Sequence, residues 1–291
     1  MTRVLSACRR AAFGLTTVLS PFAAFAQVPQ FDHVVIVVME NHSFSQIIGS
    51  ANAPYINSLA SENASFTQSF AIEHPSQPNY LDLFSGSNQG VTDDSCPHTF
   101  GTDNLGSGLI AAGFTFVGYS EELPAEGSTV CSAGTTPNTY QRKHNPWVNF
   151  TNVPAGSNQP YSAFPGDFST LPTLSFVIPN QCHDMHDCSV ATGDAWLQAN
   201  IDAYAQWSKT HNSLLVLTWD ENDRSVPNQI ATIFVGALVV PGQYSETIDH
   251  FNVLATLEAM YALTPVGTDT AKAATPITDV WDQTIFADGF E

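Results

Sequence analysis

Two apolar runs dominate the chain, and each stops abruptly at oxygen-bearing side chains. Residues 34–39 read Val-Val-Ile-Val-Val-Met and end in Glu40 and Asn41; residues 214–219 end in Asp220 and Glu221, followed by Asn222 and Asp223. An uninterrupted, β-branched run predicts a strand covered on both faces, as in a parallel sheet under helices. In open α/β sheets the carboxyl ends of the strands are where ligands bind. Two buried strands that each deliver adjacent oxygen ligands to that edge imply a cation or phosphate site.

Between these strands the pattern alternates short elements. Residues 54–62 carry Tyr55, Ile56 and Leu59 at helical spacing, residues 66–72 read as a strand, and a helix is predicted to begin near Pro78 and stop at Gly86. Ser76 then falls just ahead of a helix start, as an N-cap or as a nucleophile beside free N–H groups. Residues 105–112 look helical and 114–119 extended. Residues 125–161 read mostly as loop, a length that usually serves or covers a site; with the adjacent segment they hold His98, Arg142, Lys143 and His144. Of these, Arg142 and Lys143 are candidate substrate contacts. A strand at 174–178, a helix over 193–210 with Trp196, Leu197, Ile201, Tyr204 and Trp207 on one stripe, a strand at 231–239 and an amphipathic helix from His250 complete the body. Residues 264–291 form an irregular tail in which Val280 and Trp281 pack back.

The first residues change this picture least but must be set apart. Arg3, Arg9 and Arg10 precede an apolar segment, and Ala24-Phe25-Ala26 offers a cleavage site before Gln27. Residues 1–26 are therefore expected to be a signal peptide for ordinary secretion, with a looser fit to a twin-arginine signal. The mature chain, 27–291, is expected to be one domain, secreted or periplasmic, with no membrane span. Losing three arginines takes the formal charge from −19 to −22. So acidic a chain is a poor partner for nucleic acid, and any phosphate chemistry needs a bound cation to supply positive charge.

Four cysteines remain, and an even number in an exported chain favours two disulfides. Proximity favours Cys96 with Cys131 and Cys182 with Cys188. The rival is a zinc site from Cys182, His183, His186 and Cys188. Asp184, His186 and Asp187 lie in the same short segment, a density of ligand-type side chains that points to a metal or phosphate role.

The segments Met39-Glu40-Asn41-His42-Ser43-Phe44, His74-Pro75-Ser76-Gln77-Pro78-Asn79-Tyr80, Asp184-Met185-His186-Asp187 and Thr218-Trp219-Asp220-Glu221 together resemble, in order, the secreted bacterial phosphoesterase family of acid phosphatases and phospholipases C. The resemblance implies an alkaline phosphatase-like fold, a three-layer α/β/α sandwich on a mostly parallel sheet. It also implies a divalent cation of unspecified identity held by Glu40, Asn41, Ser76, Asp220 and Glu221, where the family's usual last pair is Asp-Asp. Ser76 would attack phosphorus and form a phosphoseryl intermediate. Asp184, His186 and His250 would contact phosphate, protonate the leaving oxygen or fill a second metal position; Asn41 would serve metal or phosphate. The expected substrate is a phosphate monoester, with lipid phosphates such as phosphoinositides included. A phospholipase C acting on diesters and a non-catalytic metal-stabilised binding domain are the alternatives.

Overall fold

The computed structural model describes residues 28–282 and Thr284. The proposed signal peptide and the end segment from Ile285 onward lie outside the described residues.

Eight strands make the central sheet: β1 (His33–Met39), β2 (Ala64–Phe66), β3 (Phe116–Ser120), β4 (Asn158–Pro160), β5 (Leu174–Ile178), β6 (Ser213–Trp219), β7 (Thr232–Val235) and β8 (Gly242–Tyr244). Their spatial order is β8-β2-β7-β6-β1-β5-β3-β4. β1 lies between β5 and β6 and is parallel to both. Only β7 runs against its neighbours. The fold is thus the predicted α/β sandwich.

β1 separates two cores by simple alternation. Val34, Ile36 and Val38 join one cluster with Leu214 and Val216. Val35, Val37 and Met39 join the other with Leu215, Leu217 and Trp219. The first core is closed by helices α2 (Ser76–Ser85), α3 (Leu105–Ala111) and α6 (His250–Met260), through Tyr80, Phe84, Leu109 and Leu257. The second is closed by α1 (Pro54–Glu62), α4 (Val190–Asn200) and α5 (Asp202–Ser208), through Ile56, Leu59, Leu197 and Tyr204. Each fully buried aliphatic side chain of these strands contributes roughly 1.5–3 kcal/mol of transfer free energy, so the central strands are the rigid part of the molecule.

Several boundaries differ from the sequence pattern. The extended segment at 66–72 divides at Thr67: Ala64–Phe66 joins the main sheet, and Ser69–Phe70 joins a small second sheet with Gln229–Ile230 and Ile248–Asp249. The 193–210 helix is two helices meeting at Ile201, whose side chain is buried at the joint. The strand expected over 231–239 stops at Val235, since a Cβ at Gly236 would lie 2.5 Å from the Ser213 carbonyl oxygen and that close approach bends the chain away. Residues 125–161 are less open than their composition suggests, with a hairpin of Ser132–Thr135 and Asn138–Gln141 followed by short 3₁₀ turns. In the tail, Trp281 is buried against Phe31 and Phe234, and Val239 bridges to it.

Cys96 is bonded to Cys131 and Cys182 to Cys188. The zinc alternative is corrected by the second bond, which removes both thiolates; its two imidazoles are also engaged, His183 Nδ1 at 2.7 Å from Glu121 and His186 Nδ1 at 2.7 Å from Asp187.

Glu258 is among the buried acids that lie away from the sheet edge. Glu258 on α6 accepts the Val266 amide at 2.8 Å, and burial pushes its carboxyl up to about 7. A raised acid favours folding fully below its unfolded pKa near 4.5 and loses that contribution as pH rises through about 7. After a discount for residual solvent screening this is about 2 kcal/mol. Glu258→Gln keeps the acceptor and removes the titration. Melts at pH 5 and pH 8 should show the variant gaining on wild type by about that amount at the higher pH; parallel losses in both proteins would refute the assignment.

Candidate functional site

Three adjacent strand ends build the site. β1 stops at Met39, whose carbonyl accepts the Asp220 amide at 3.0 Å from the end of β6; the Glu40 amide donates to the Asp184 carbonyl at 2.9 Å from the loop after β5. These two backbone bonds bring Glu40, Asp184 and Asp220 together at one edge, all with no measurable exposure. Asn41 then turns the chain through a left-handed conformation, φ +43°, which Asn tolerates better than most residues. Its amide N–H donates to Asp220 Oδ1 at 3.3 Å.

Ser76 does not cap α2. It is the first helical residue, Pro75 occupies the cap position, and the Ser76 side chain turns into the strand edge. Its Oγ lies 3.1 Å from Glu40 Oε2, 3.2 Å from Glu221 Oε1 and 3.4 Å from the inward terminal atom of the Asn41 amide. Tyr80, one turn along the same helix, donates to Glu40 Oε1 at 2.5 Å. The other Glu221 oxygen meets His74 Nδ1.

The donor set suits a cation. The inward atom of the Asn41 amide also lies 2.8 Å from Glu40 Oε2 and 3.2 Å from Asp220 Oδ1. As oxygen it faces only acceptors and completes a cage of hard oxygens for a shared positive charge; as NH₂ it donates to both carboxylates. Four acids are buried within this edge. Burial, opposed by Lys143 and Tyr80, pushes Glu40 up to about 7, and burial with neighbouring carboxylates holds Asp184 and Asp220 well above the usual range; Glu221 is also raised. Carboxylates so placed either hold protons or share a cation.

The remaining predicted residues divide sharply. Asp184 accepts the His186 amide at 2.8 Å and the Gln181 side chain at 3.2 Å, which fixes the disulfide-closed loop. His186 stands at the rim, about one-third exposed, with Nδ1 on Asp187. His250, expected to contact substrate, is buried, and its Nε2 donates to the Asp220 backbone carbonyl at 2.7 Å. That bond is spent on the strand end, so the substrate-contact expectation is corrected to a positioning one. Arg142 is corrected too: its guanidinium donates to the carbonyls of Thr129, His98 and Val148 and to Asn149 Oδ1, tying the loop together.

Sequence reasoning missed Tyr80, His74, His144 and the Lys143–Asp94 pair. Tyr80 was accessible, because four residues after Ser76 a side chain lies on the same helix face. Lys143 Nζ pairs with Asp94 at 2.8 Å, and the other Asp94 oxygen accepts the Gln77 amide at 3.0 Å. Burial works to lower Lys143, and Glu40 and Asp94 outweigh it, so its charge is held firmly beside Ser76.

Comparison with known proteins covers most of the chain. The Phosphoesterase family model matches residues 50–264, which include Ser76, Asp184, His186, Asp220, Glu221 and His250. A phosphatidylinositol-3-phosphatase of Mycobacterium tuberculosis (strain ATCC 25618 / H37Rv) is 57% identical over 261 residues, covering 89% of this chain and 85% of that protein. A phosphate-repressible acid phosphatase of Penicillium chrysogenum is 29% identical over 262 residues; the match covers 81% of this chain and 60% of the relative's length. Among solved structures, a protein in the alkaline phosphatase superfamily from Vibrio parahaemolyticus superposes with a TM-score of 0.61 at 12% identity, over 89% of this chain and 72% of that one.

Protons would compete with a cation bound at this edge. With Glu40 titrating at about 7, cation affinity measured by calorimetry should fall as pH drops below 7, approaching about ten-fold per pH unit, with proton release on binding. An affinity that stays flat from pH 7 to pH 5 would argue against carboxylate ligation.

Proposed function

Because the chain belongs to the Phosphoesterase family and is a phosphoric ester hydrolase, we propose that it is a secreted, divalent-cation-dependent phosphomonoesterase with Ser76 as nucleophile. The observation that carries this reading is the Ser76 hydroxyl at a helix start, within 3.4 Å of oxygens from Glu40, Asn41 and Glu221. Glu40, Asn41, Ser76, Asp220 and Glu221 would hold the cation. Bound there, it supplies a lowered pKa for the hydroxyl and charge screening between two anions.

Ser76 Oγ attacks phosphorus; the Oγ–P bond forms as the bond to the leaving oxygen breaks, and water then cleaves the phosphoseryl ester. The N-terminus of α2 and Lys143 offer positive potential to the transferring group. His186 is the rim imidazole, oriented through Nδ1 by Asp187, and protonates the leaving oxygen from Nε2. Tyr80 and His250 orient Glu40 and the end of β6. Asn41 is assigned to the cation through its side chain, and its backbone amide is spent on Asp220.

The substrate class follows from the relative that matches over most of its own length, named for removing a phosphate monoester from a phosphoinositide. A phosphoinositide 3-phosphate is therefore the proposed substrate, with acid-phosphatase activity on simpler monoesters; this favours a monoesterase over a phospholipase C. Secretion rests on the leader and the two disulfides; among the described residues no helix is long and apolar enough to cross a membrane.

Ser76→Ala should reduce phosphate release from p-nitrophenyl phosphate by at least about 10³-fold with the melting temperature retained, and full activity would remove Ser76 from the mechanism. Asp220→Asn should lower metal content in the purified protein, an outcome read by elemental analysis. His186→Ala should cost about 10²–10³-fold on an alkyl phosphate but much less on p-nitrophenyl phosphate, whose leaving group needs no proton. Equal losses on both substrates would assign His186 to phosphate binding instead.

A further inference from the structure

Asp94 has no task in the reaction just described, yet its carboxylate fills two donors at the start of α2, where the transferring group meets positive potential. One oxygen accepts the Gln77 amide at 3.0 Å and the other pairs with the Lys143 ammonium at 2.8 Å. Gln77 follows Ser76 directly, so its N–H is one of those a helix start leaves without an intrahelical acceptor. A helix-start amide and an ammonium are donors of the kind that hold phosphate oxygens. The charge of Lys143 is felt at Glu40 and Asp220, and that of Asp94 at Glu221, which places the pair over the Ser76 edge and not on a remote surface. The three groups differ in freedom. Gln77 is 1% exposed, on a helix packed against the sheet. Lys143 follows Arg142, which three carbonyls and Asn149 hold, and only 16% of the Lys143 side chain is exposed. Asp94 lies in the exposed segment 92–95, between buried Val91 and disulfide-bonded Cys96. Its side chain is 34% exposed, and its carboxylate has no further hydrogen-bond partner among the described residues. Of the three groups, the carboxylate is the one free to turn into water.

We propose that Asp94 is an internal competitor of the phosphoryl group. It occupies the Gln77 amide and the Lys143 ammonium in the free protein, is displaced when a phosphate monoester binds, and returns as inorganic phosphate leaves. An ion pair on a partly exposed segment is weak enough to be exchanged for a dianion that meets the same donors. The exchange has two effects. An incoming ester must break both Asp94 contacts, so it binds less tightly than the bare donors would allow. The product phosphate is held less tightly for the same reason, which favours its departure and raises turnover wherever release is the slow step. Asp94 thus sets the affinity of the site for phosphate without touching the reacting atoms. This inference rests on the phosphatase reading of the Ser76 site, and its test reads the two apart.

The experiment titrates inorganic phosphate into full-chain wild type, Asp94→Asn and Asp94→Ala by calorimetry, at metal contents matched by elemental analysis. The competitive inhibition constant of phosphate against p-nitrophenyl phosphate is measured on the same preparations. Asp94→Asn keeps the size of the side chain and removes its charge. It should bind phosphate about ten-fold more tightly than wild type, with the inhibition constant and KM both falling. Asp94→Ala, which removes both contacts, should bind at least as tightly as Asp94→Asn. Weaker phosphate binding in both variants would overturn the proposal and make Asp94 a support that holds Lys143 in place. Unchanged binding would overturn it as well and leave Asp94 an ordinary surface ion pair. In either case, wild-type turnover that Ser76→Ala abolishes keeps the phosphatase reading, so the two failures are distinguished. Phosphate that binds none of the three proteins would overturn both.

Discussion

The constraint on which the rest of the structure depends is the burial of Glu40. A carboxylate with no exposure, at the end of the most central strand, costs several kcal/mol unless charge or hydrogen bonds compensate it. Every element near it is arranged around that cost. Tyr80 donates to one oxygen, Ser76 to the other, and Lys143 contributes its charge from across the edge. The same helix supplies Ser76 and Tyr80, so the position of α2 on the sheet determines both the nucleophile and the group that orients the acid. The two cores on either face of β1 make this affordable: a strand packed by aliphatic side chains above and below does not move to relieve electrostatic strain at its end.

Why the acids gather at this edge follows from topology. In a parallel sheet neighbouring strands end on the same side, so β6, β1 and β5 deliver their next residues to one line. The backbone bonds from Asp220 to Met39 and from Glu40 to Asp184 extend that alignment one residue past the strands. The loops that follow are then tied separately. The Cys182–Cys188 bond closes the Asp184 loop, and Ser43 and Gln46 hold Asp223 at 2.5 and 3.0 Å beyond the Asp220–Glu221 pair. A Cβ at Gly193 would lie 2.4 Å from Met185, so α4 can approach the disulfide loop only with glycine at that position. The rigid part of the site is sheet, and its adjustable part is the exposed rim that carries His186.

Much of this was legible from the chain alone, for a reason that also explains the misses. The runs at 34–39 and 214–219 are apolar because they are covered on both faces, and the polar residue that ends each run marks where apolar cover gives way to a buried polar edge. That signal is local, so Glu40, Asn41, Asp220 and Glu221 were accessible, and the four ordered motifs added Ser76 and Asp184. His144 carries no such signal. It lies in a segment whose composition reads as loop, and it reaches the edge only because Arg142, two residues before it, is anchored by three backbone carbonyls and an asparagine. The break at Ile201 was likewise invisible, since apolar periodicity continues through it and only packing against other elements divides the helix; the break at Thr67 falls on a polar run, Thr67-Gln68-Ser69, that the sequence reading passed over.

The contrast between Arg142 and Lys143 explains how so acidic a protein handles an anionic substrate. Arg142 has the bidentate geometry suited to phosphate, but it is buried under carbonyls and serves the loop. Lys143 is a point charge, paired through Asp94 to the amide of Gln77, the residue after Ser76. Pairing with Asp94 cancels its long-range field, so it cannot draw phosphate from a distance. It holds a local positive potential at the start of α2, where the dipole of that helix adds to it. Attraction therefore arises only once the ester is within the site. In a chain of formal charge −19, long-range repulsion and short-range capture act in opposite directions, and ionic strength screens the first more than the second, whose charges meet the ester within a Debye length.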